Sequence, residues 1–122
     1  MHQQLIEKTR EASQQWQSYF NQGDAAGCAS MYEQTADMQA KPFGYYQGQK
    51  DIEAFWQQLI NQGYTDISYL EPSIEVIDKQ TTLLTSHWTM NNARGVITRE
   101  LWVLQADGQM RLREDHFEAQ SS

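Results

Sequence analysis

The sequence predicts an α+β domain in which two to three N-terminal helices precede an antiparallel sheet. The first half of the chain has segments with apolar residues at three- and four-residue steps, as in amphipathic helices. The second half has four stretches of strand length separated by turn residues. A length of 122 residues suits one hydrophobic core and is too short for two, so we expect residues 1–122 to form a single domain.

Three helices are predicted from the spacing of apolar residues and from their end signals. The first carries one apolar side: Leu5, Thr9, Ala12, Trp16 and Phe20. It ends before Gly23, which suits a left-handed residue after a helix, and Asp24 is a natural N-cap for a short second helix over 25–31. The clearest helix covers 51–61 and carries one stripe: Ile52, Phe55, Trp56, Leu59 and Ile60.

A short strand is predicted over 35–40, followed by an aromatic loop over 41–48 that we expect to fold over something apolar. Longer strands are predicted over about 64–78, 81–91, 95–105 and 109–118. Pro72 indicates a bulge or an edge position in the first of these. Asp107 and Gly108 predict a hairpin that joins the last two.

The strand over 95–105 carries apolar residues on both parities: Val96, Trp102 and Leu104 on one, and Ile97, Leu101 and Val103 on the other. A strand with one face in water should alternate cleanly between apolar and polar residues. Both faces are therefore expected to be covered, and the helices can cover only one of them. We expect a second copy of the chain to cover the other, giving a homodimer through the sheet.

The charge balance excludes some classes of partner. Nine basic and 16 acidic residues give a net charge of −7, which would repel nucleic acid.

No apolar run is long enough to cross a membrane, and the N-terminus does not resemble a signal peptide, so a cytoplasmic protein is expected. A single cysteine, Cys28, fits a reducing compartment. We expect no metal site and no cofactor, because neither ligand spacing nor a glycine-rich phosphate loop is present.

Three segments, Trp16–Asp24, Pro42–Trp56 and Asp107–Phe117, resemble the nuclear transport factor 2-like superfamily, which includes ketosteroid isomerases and SnoaL-like polyketide cyclases. The resemblance covers nearly the whole chain. It implies a cystatin-like roll, in which a cone-shaped, curved antiparallel sheet wraps around the helices. It also implies a cavity at the open end of the cone that takes a small hydrophobic molecule.

The resemblance does not carry over a complete catalytic set. The base position of ketosteroid isomerases falls on Ala40 or Lys41, and their oxyanion tyrosine position falls on Trp16. Their oxyanion aspartate position falls on Glu100, which keeps its acidic character. The full triad of limonene epoxide hydrolases is also missing. SnoaL-like cyclases use an acidic residue in the same general region of the pocket, and the resemblance implies Asp115 as the candidate here.

Strand alternation places Arg113, Asp115 and Phe117 on one face, and a tight hairpin would bring Glu100 and Trp102 opposite them. The predicted pocket therefore holds Glu100, Arg113 and Asp115 among Trp16, Trp102 and Phe117. Two carboxylates in an apolar cavity repel, which raises one pKa and suits general acid–base catalysis, with Arg113 orienting the two acids. Alternatively, Arg113 bridges the two carboxylates and only joins the strands.

Three other residues are candidate ligand contacts. Tyr45 and Tyr46 lie in the aromatic loop. His87 lies on a strand, and the sequence does not show whether its side chain faces the cavity. Three functions remain open at this stage. They are acid–base catalysis on a hydrophobic ligand with a carbonyl, enol or epoxide, ligand binding or sensing without catalysis, and a pure interaction domain with a filled cavity.

Overall fold

The computed structural model describes residues 2–120, and it contains the three predicted helices: α1 (His2–Asn21), α2 (Ala25–Ser30) and α3 (Gln49–Asn61). Gly23 has a φ of 77°, and Asp24 accepts a hydrogen bond from the backbone N–H of Gly27 at 2.8 Å. The left-handed glycine and the N-cap are therefore both confirmed. None of the helices within residues 2–120 combines the length and the apolar character that a membrane-spanning segment requires.

Within residues 2–120, six strands form one sheet: β1 (Tyr32–Lys41), β2 (Gly44–Gln47), β3 (Ser68–Asp78), β4 (Thr81–Met90), β5 (Ala93–Leu104) and β6 (Met110–Gln120). The order across the sheet is β2-β1-β6-β5-β4-β3, with β1 parallel to β6 and the other neighbours antiparallel. The α+β class is confirmed. The strand β2 was expected to be a loop, but it pairs with β1 in antiparallel fashion.

Two sequence signals in the long strands are borne out. The edge strand β3 has an irregular register between Leu70 and Ser73, as Pro72 predicted. The strands β5 and β6 form an antiparallel hairpin. Leu104 and Met110 are the pair nearest the Asp107–Gly108 turn that joins the two strands. The hairpin fixes which residues of the last two strands face each other.

A bulge in β5 changes the meaning of its mixed apolar pattern. Thr98 is an extra residue of β5, because the residues before and after it pair with two consecutive residues of β6. An extra residue reverses the alternation, so Ile97 and Trp102 both lie on the buried inner face although their parities differ. Part of the apolar pattern that predicted a second covered face is thus explained within one chain. Val96 and Leu101 remain half-buried on the outer face.

An aromatic cluster packs α1 and α3 against the inner face of the sheet. Trp16 on α1 stacks with Phe20 at 5.7 Å and meets Trp56 on α3 edge-on at 4.9 Å between ring centroids. Trp56 stacks with Phe117 on β6 at 5.6 Å, and Phe117 meets Trp88 on β4 at 6.3 Å. These rings surround the region where the predicted site residues meet.

Candidate functional site

Two carboxylates are buried side by side on the inner face of the sheet. Glu100 in β5 and Asp115 in β6 are directly opposite each other in the register, and their residues are 2% and 3% exposed. The sequence prediction that these two acids meet inside the fold agrees with this arrangement. Buried carboxylates are normally paired with cations, because removing a charge from water is costly. The hydrogen-bond donors to the two carboxyl groups are instead two neutral tyrosines and one neutral tryptophan.

Glu100 receives one hydrogen bond on each carboxylate oxygen. The Tyr69 hydroxyl donates to Oε2 at 2.7 Å, and the Trp102 indole Nε1–H donates to Oε1 at 2.9 Å. Tyr69 lies on β3 at the sheet edge, whereas Trp102 lies two residues along β5 on the same face. The position of the Glu100 carboxyl is therefore fixed from two directions.

Asp115 is held by a chain of two hydrogen bonds that reaches α3. The Tyr32 hydroxyl donates to Asp115 Oδ2 at 2.6 Å, and the Trp56 Nε1–H donates to the Tyr32 oxygen at 3.2 Å. Tyr32 is fully buried at the start of β1. The position of the Asp115 carboxyl is thus fixed through its Oδ2 atom.

Burial raises the pKa values of both acids. Burial raises the pKa of Glu100 to about 8, and the neighbouring charge of Asp115 adds to this rise. Burial also raises the pKa of Asp115 to about 6, while the hydrogen bond from Tyr32 opposes the rise. Near pH 7 the pair therefore holds about one proton between its two carboxyl groups. An acid and a base stand next to each other, as general acid–base catalysis requires.

A small cavity lies against the two carboxylates. It is lined by aromatic rings of Trp16, Trp56, Tyr69, Trp88 and Phe117, and its volume is about 20 Å³. This volume holds one water-sized group, whereas ligand pockets usually measure several hundred Å³. The open ligand pocket implied by the family resemblance is therefore not found beside these carboxylates within residues 2–120. A larger ligand would have to displace part of the lining.

Arg113 does not join the two acids, and the prediction that it lies between them is wrong. It is the extra residue of a bulge in β6, which reverses the alternation between Leu112 and Asp115. Its side chain is exposed, and its Nε and Nη2 donate to the two carboxylate oxygens of Glu33 at 2.8 and 3.1 Å. The hydrogen bond from Arg113 lowers the pKa of Glu33 instead.

His87 is also placed outside the site. It is exposed on the outer face of β4, and the next residue, Trp88, is the one that lies inside.

Gly95 lies opposite Trp88 on β5, where an added Cβ would stand 2.5 Å from the Trp88 ring. The absence of a side chain at Gly95 thus allows the large Trp88 ring to lie across the neighbouring strand.

The two loop tyrosines do not contribute to the cavity either. Tyr45 is 57% exposed on β2. Tyr46 is half-buried and packs against Phe55 with ring centroids 4.8 Å apart, one layer away from the cavity. The expectation that this segment covers an apolar surface holds for Tyr46, whereas Phe43 and Tyr45 remain exposed.

Four residues of the site were not predicted from the sequence: Tyr32, Trp56, Tyr69 and Trp88. Tyr32 shares the parity of the buried residues Ala36 and Met38, which could have extended the predicted strand to include it. Gln34 interrupts that pattern, because it has the same parity but is exposed. Trp88 was signalled only by its position next to His87, since one of two adjacent strand residues must face inwards.

No model of a known protein family matches the sequence, and neither does the sequence of any curated protein. Solved structures do match over most of their length. Aln2 from a Streptomyces species has a TM-score of 0.85 at 16% identity, with 94% of this chain and 90% of that chain covered. A ketosteroid isomerase-like protein from Erwinia carotovora atroseptica has a TM-score of 0.78 at 11% identity, with 93% and 94% covered. An NTF2-like protein with a cystatin-like fold from Novosphingobium aromaticivorans has a TM-score of 0.77 at 14% identity, with 93% and 80% covered.

The helices, the curved mostly antiparallel sheet and the buried acid pair define an α+β roll with a polar centre. This chain has the cystatin-like fold of ketosteroid isomerase-like and NTF2-like proteins, and the resemblance seen in the sequence is confirmed at the level of the fold. At identities of 11–16% the likeness establishes the fold alone. The activity has to be argued from the site.

Proposed function

We propose that this protein is an acid–base enzyme of the SnoaL-like group that moves a proton on a small hydrophobic ligand. One observation carries the proposal. Glu100 and Asp115 are buried together, and the groups that hydrogen-bond to them are all neutral. A pair with only a structural role would gain stability from a cation or from replacement by apolar residues. Strongly perturbed acids inside an aromatic cavity are typical of functional sites.

The two acids have complementary roles in this proposal. For a ketone ligand, Asp115 removes a proton from the carbon next to the carbonyl. The electron pair of that C–H bond forms the C=C bond of an enol, and the carbonyl oxygen takes a proton from Glu100. Tyr32 and Tyr69 are positioning residues that hold the carboxyl groups through their hydroxyls. The pKa values of about 6 and about 8 bracket neutral pH, where such transfers are most efficient.

The exposure of the lining residues indicates where a ligand would enter the cavity. Among its lining residues, Tyr69 and Met90 are partly exposed and the others are buried. Methionine is the most adaptable apolar side chain, so displacement of Met90 is the simplest way to enlarge the cavity. The aromatic lining then favours a flat apolar ligand, consistent with a small hydrophobic partner.

Replacing Asp115 with asparagine is the direct test of this function. We expect the wild type to accelerate exchange of the α-protons of small cyclic ketones with D₂O at pH 7, as measured by ¹H NMR. Asp115→Asn should slow the catalysed exchange by about 10²-fold or more, because the base is lost while the shape is kept. Glu118→Gln on the same strand is the matched control and should keep the wild-type rate.

Equal exchange rates in Asp115→Asn and the wild type would remove the proposed role of Asp115. If the wild type binds the ketones and does not exchange their protons, the chain is a ligand-binding or sensor module. Circular dichroism and urea unfolding of each variant will show whether a lost rate reflects lost chemistry or lost folding.

We also propose a homodimer through the outer face of the sheet. Paired positions across the strands place Leu70 and Val96 in one outward row and Leu83 and Leu101 in the next. Sedimentation at micromolar concentration should give about twice the 14.2 kDa of one chain. Leu101→Glu should give a monomer, while Phe43→Glu, on the exposed β1–β2 turn, should leave the dimer intact. A wild-type monomer would contradict the proposal.

A further inference from the structure

We propose that a groove between α1 and the start of β6 binds a free α-amino acid with an aliphatic side chain. The groove has a volume of about 510 Å³, which is within the usual range for small-molecule pockets. None of the described residues that line it also lines the cavity beside Glu100 and Asp115. The groove is therefore a second site, and its occupant does not depend on the acid–base chemistry proposed above.

The walls of this groove are held in place by contacts within the chain. Lys8 on α1 connects one wall to the other, because its Nζ donates to the carbonyl oxygen of Gly108 in the turn before β6 at 3.3 Å. Tyr19, further along α1, lies against Gly27 of α2, where an added Cβ would stand 2.4 Å from the Tyr19 ring. Glycine usually weakens a helix, and this close approach gives it a structural reason here. The groove is thus preformed, as ligand sites usually are.

The less exposed side chains of the groove are mostly apolar. Ala12 and Met31 are half-buried, and Met110 is only 4% exposed. Methionine side chains are unbranched and adapt to the shape of what packs on them. This part of the groove therefore suits an aliphatic group of a ligand.

The charged residues of the groove carry both signs. Lys8, Arg111 and Glu11 line it, so cations are in excess here, although acidic residues outnumber basic ones by 16 to 9 in the whole chain. Lys8 and Glu11 are one turn apart on α1, a spacing at which opposite charges commonly pair. Neither takes part in an ion pair between residues that the structure describes, and Lys8 bonds with a neutral carbonyl oxygen instead. Charges of both signs are thus presented to an occupant of the groove.

These charges specify the ligand class. A carboxylate matches Lys8 and Arg111, since the contact of Arg111 with Asp107 at 3.4 Å uses only Nη1 of a group with five N–H donors. An ammonium group matches Glu11. A simple carboxylic acid would be repelled by Glu11, and a simple amine would be repelled by the two cations. A free α-amino acid carries both groups on one carbon and has no net charge at neutral pH, so it fits all three residues.

Leucine, 4-methylpentanoate and 3-methylbutylamine test this proposal, because they share one branched skeleton and differ in their charged groups. Wild-type protein with ¹³C-methyl-labelled methionine is titrated with each at pH 7 up to about 20 mM, which detects binding in the millimolar range. We expect leucine to move the methyl signals of Met31 and Met110 and to leave that of Met90, which lines the cavity beside the acid pair, in place. Leucine should bind at least about 10-fold more tightly than either analogue. Single Met→Leu variants assign the signals.

Variants that each remove one charge separate the two contacts. Glu11→Gln should weaken leucine binding by about 10-fold without weakening the binding of 4-methylpentanoate, which has no ammonium group. Lys8→Gln should weaken the binding of both. Glu53→Gln and Lys50→Gln make the same changes at exposed positions of α3 and should leave all three affinities unchanged.

The proposal is overturned if leucine leaves the Met31 and Met110 signals in place, if it moves the Met90 signal instead, or if either analogue binds as tightly as leucine. An equal loss of leucine binding in the α3 controls would indicate a general effect of charge and would also remove the site. Ketone exchange that depends on Asp115 without leucine binding would keep the proposed function and remove this site. Leucine binding without ketone exchange would keep the site and remove the proposed function.

Discussion

Glu100→Gln is expected to stabilise the protein at pH 8 and to weaken the dependence of its stability on pH. The pKa of Glu100 is about 8 in the folded protein and 4.5 in an ordinary environment. As pH rises through this window, the unfolded chain releases the proton while the folded chain keeps it. Stability must therefore fall across the window, by about 1.4 kcal/mol for each pH unit in which the two states differ by a full proton.

Urea unfolding at pH 5 and pH 8 measures this effect. At pH 5 the wild type and Glu100→Gln should be close in stability, whereas at pH 8 the variant should be more stable by several kcal/mol. The glutamine can still accept from Trp102 and can still bond with Tyr69, so the geometry is largely kept. The control Glu118→Gln should follow the wild type at both values. A variant less stable than the wild type at pH 8 would show that Glu100 is a stabilising charge.

Tyr32→Phe is expected to have the second large effect, which is to raise the pKa of Asp115 above about 6. The Tyr32 hydroxyl donates to Asp115 at 2.6 Å, and this hydrogen bond favours the ionised form. A hydrogen bond to a charged group contributes about 1.5–3 kcal/mol, which corresponds to a shift of about 1–2 pH units. At pH 7 much of the base would then be protonated, so catalysed ketone exchange should fall and its pH profile should move upwards.

The matched control is Tyr45→Phe, which removes a hydroxyl from an exposed tyrosine on the edge strand β2. It should leave both the rate and the pH profile unchanged. The profile separates an electrostatic role from a structural one, because a packing defect lowers the rate at all pH values without displacing the curve. A Tyr32→Phe profile that coincides with the wild-type profile would mean that Tyr32 does not control the ionisation of Asp115.

The fold was predictable because its signals are local and periodic. The apolar stripe of α1 and the Gly23–Asp24 junction follow from residue spacing alone, and the hairpin before β6 follows from its turn residues. The strand β2 was missed because four residues give too short a pattern, and its pairing with β1 comes from tertiary contact.

The site was predictable only as far as strand alternation holds. Glu100 and Asp115 are on the inner face as expected, but Arg113 is not, because it is itself the bulged residue of β6. A bulge has no reliable sequence signal here, yet it decides which side chains face inwards. Tyr32 escaped prediction for a similar reason, since the exposed Gln34 interrupts the alternation of β1.

The most direct test of the buried pair is a pH titration of the side-chain carboxyl carbons in ¹³C-labelled wild-type protein, with Glu100→Gln and Asp115→Asn used for assignment. We predict that Glu100 titrates near pH 8 and Asp115 near pH 6, with the folded structure intact throughout. Titration of both carboxyls near pH 4, as in water, would contradict this prediction. The two acids would then be ordinary charges, and no acid and base would coexist at neutral pH.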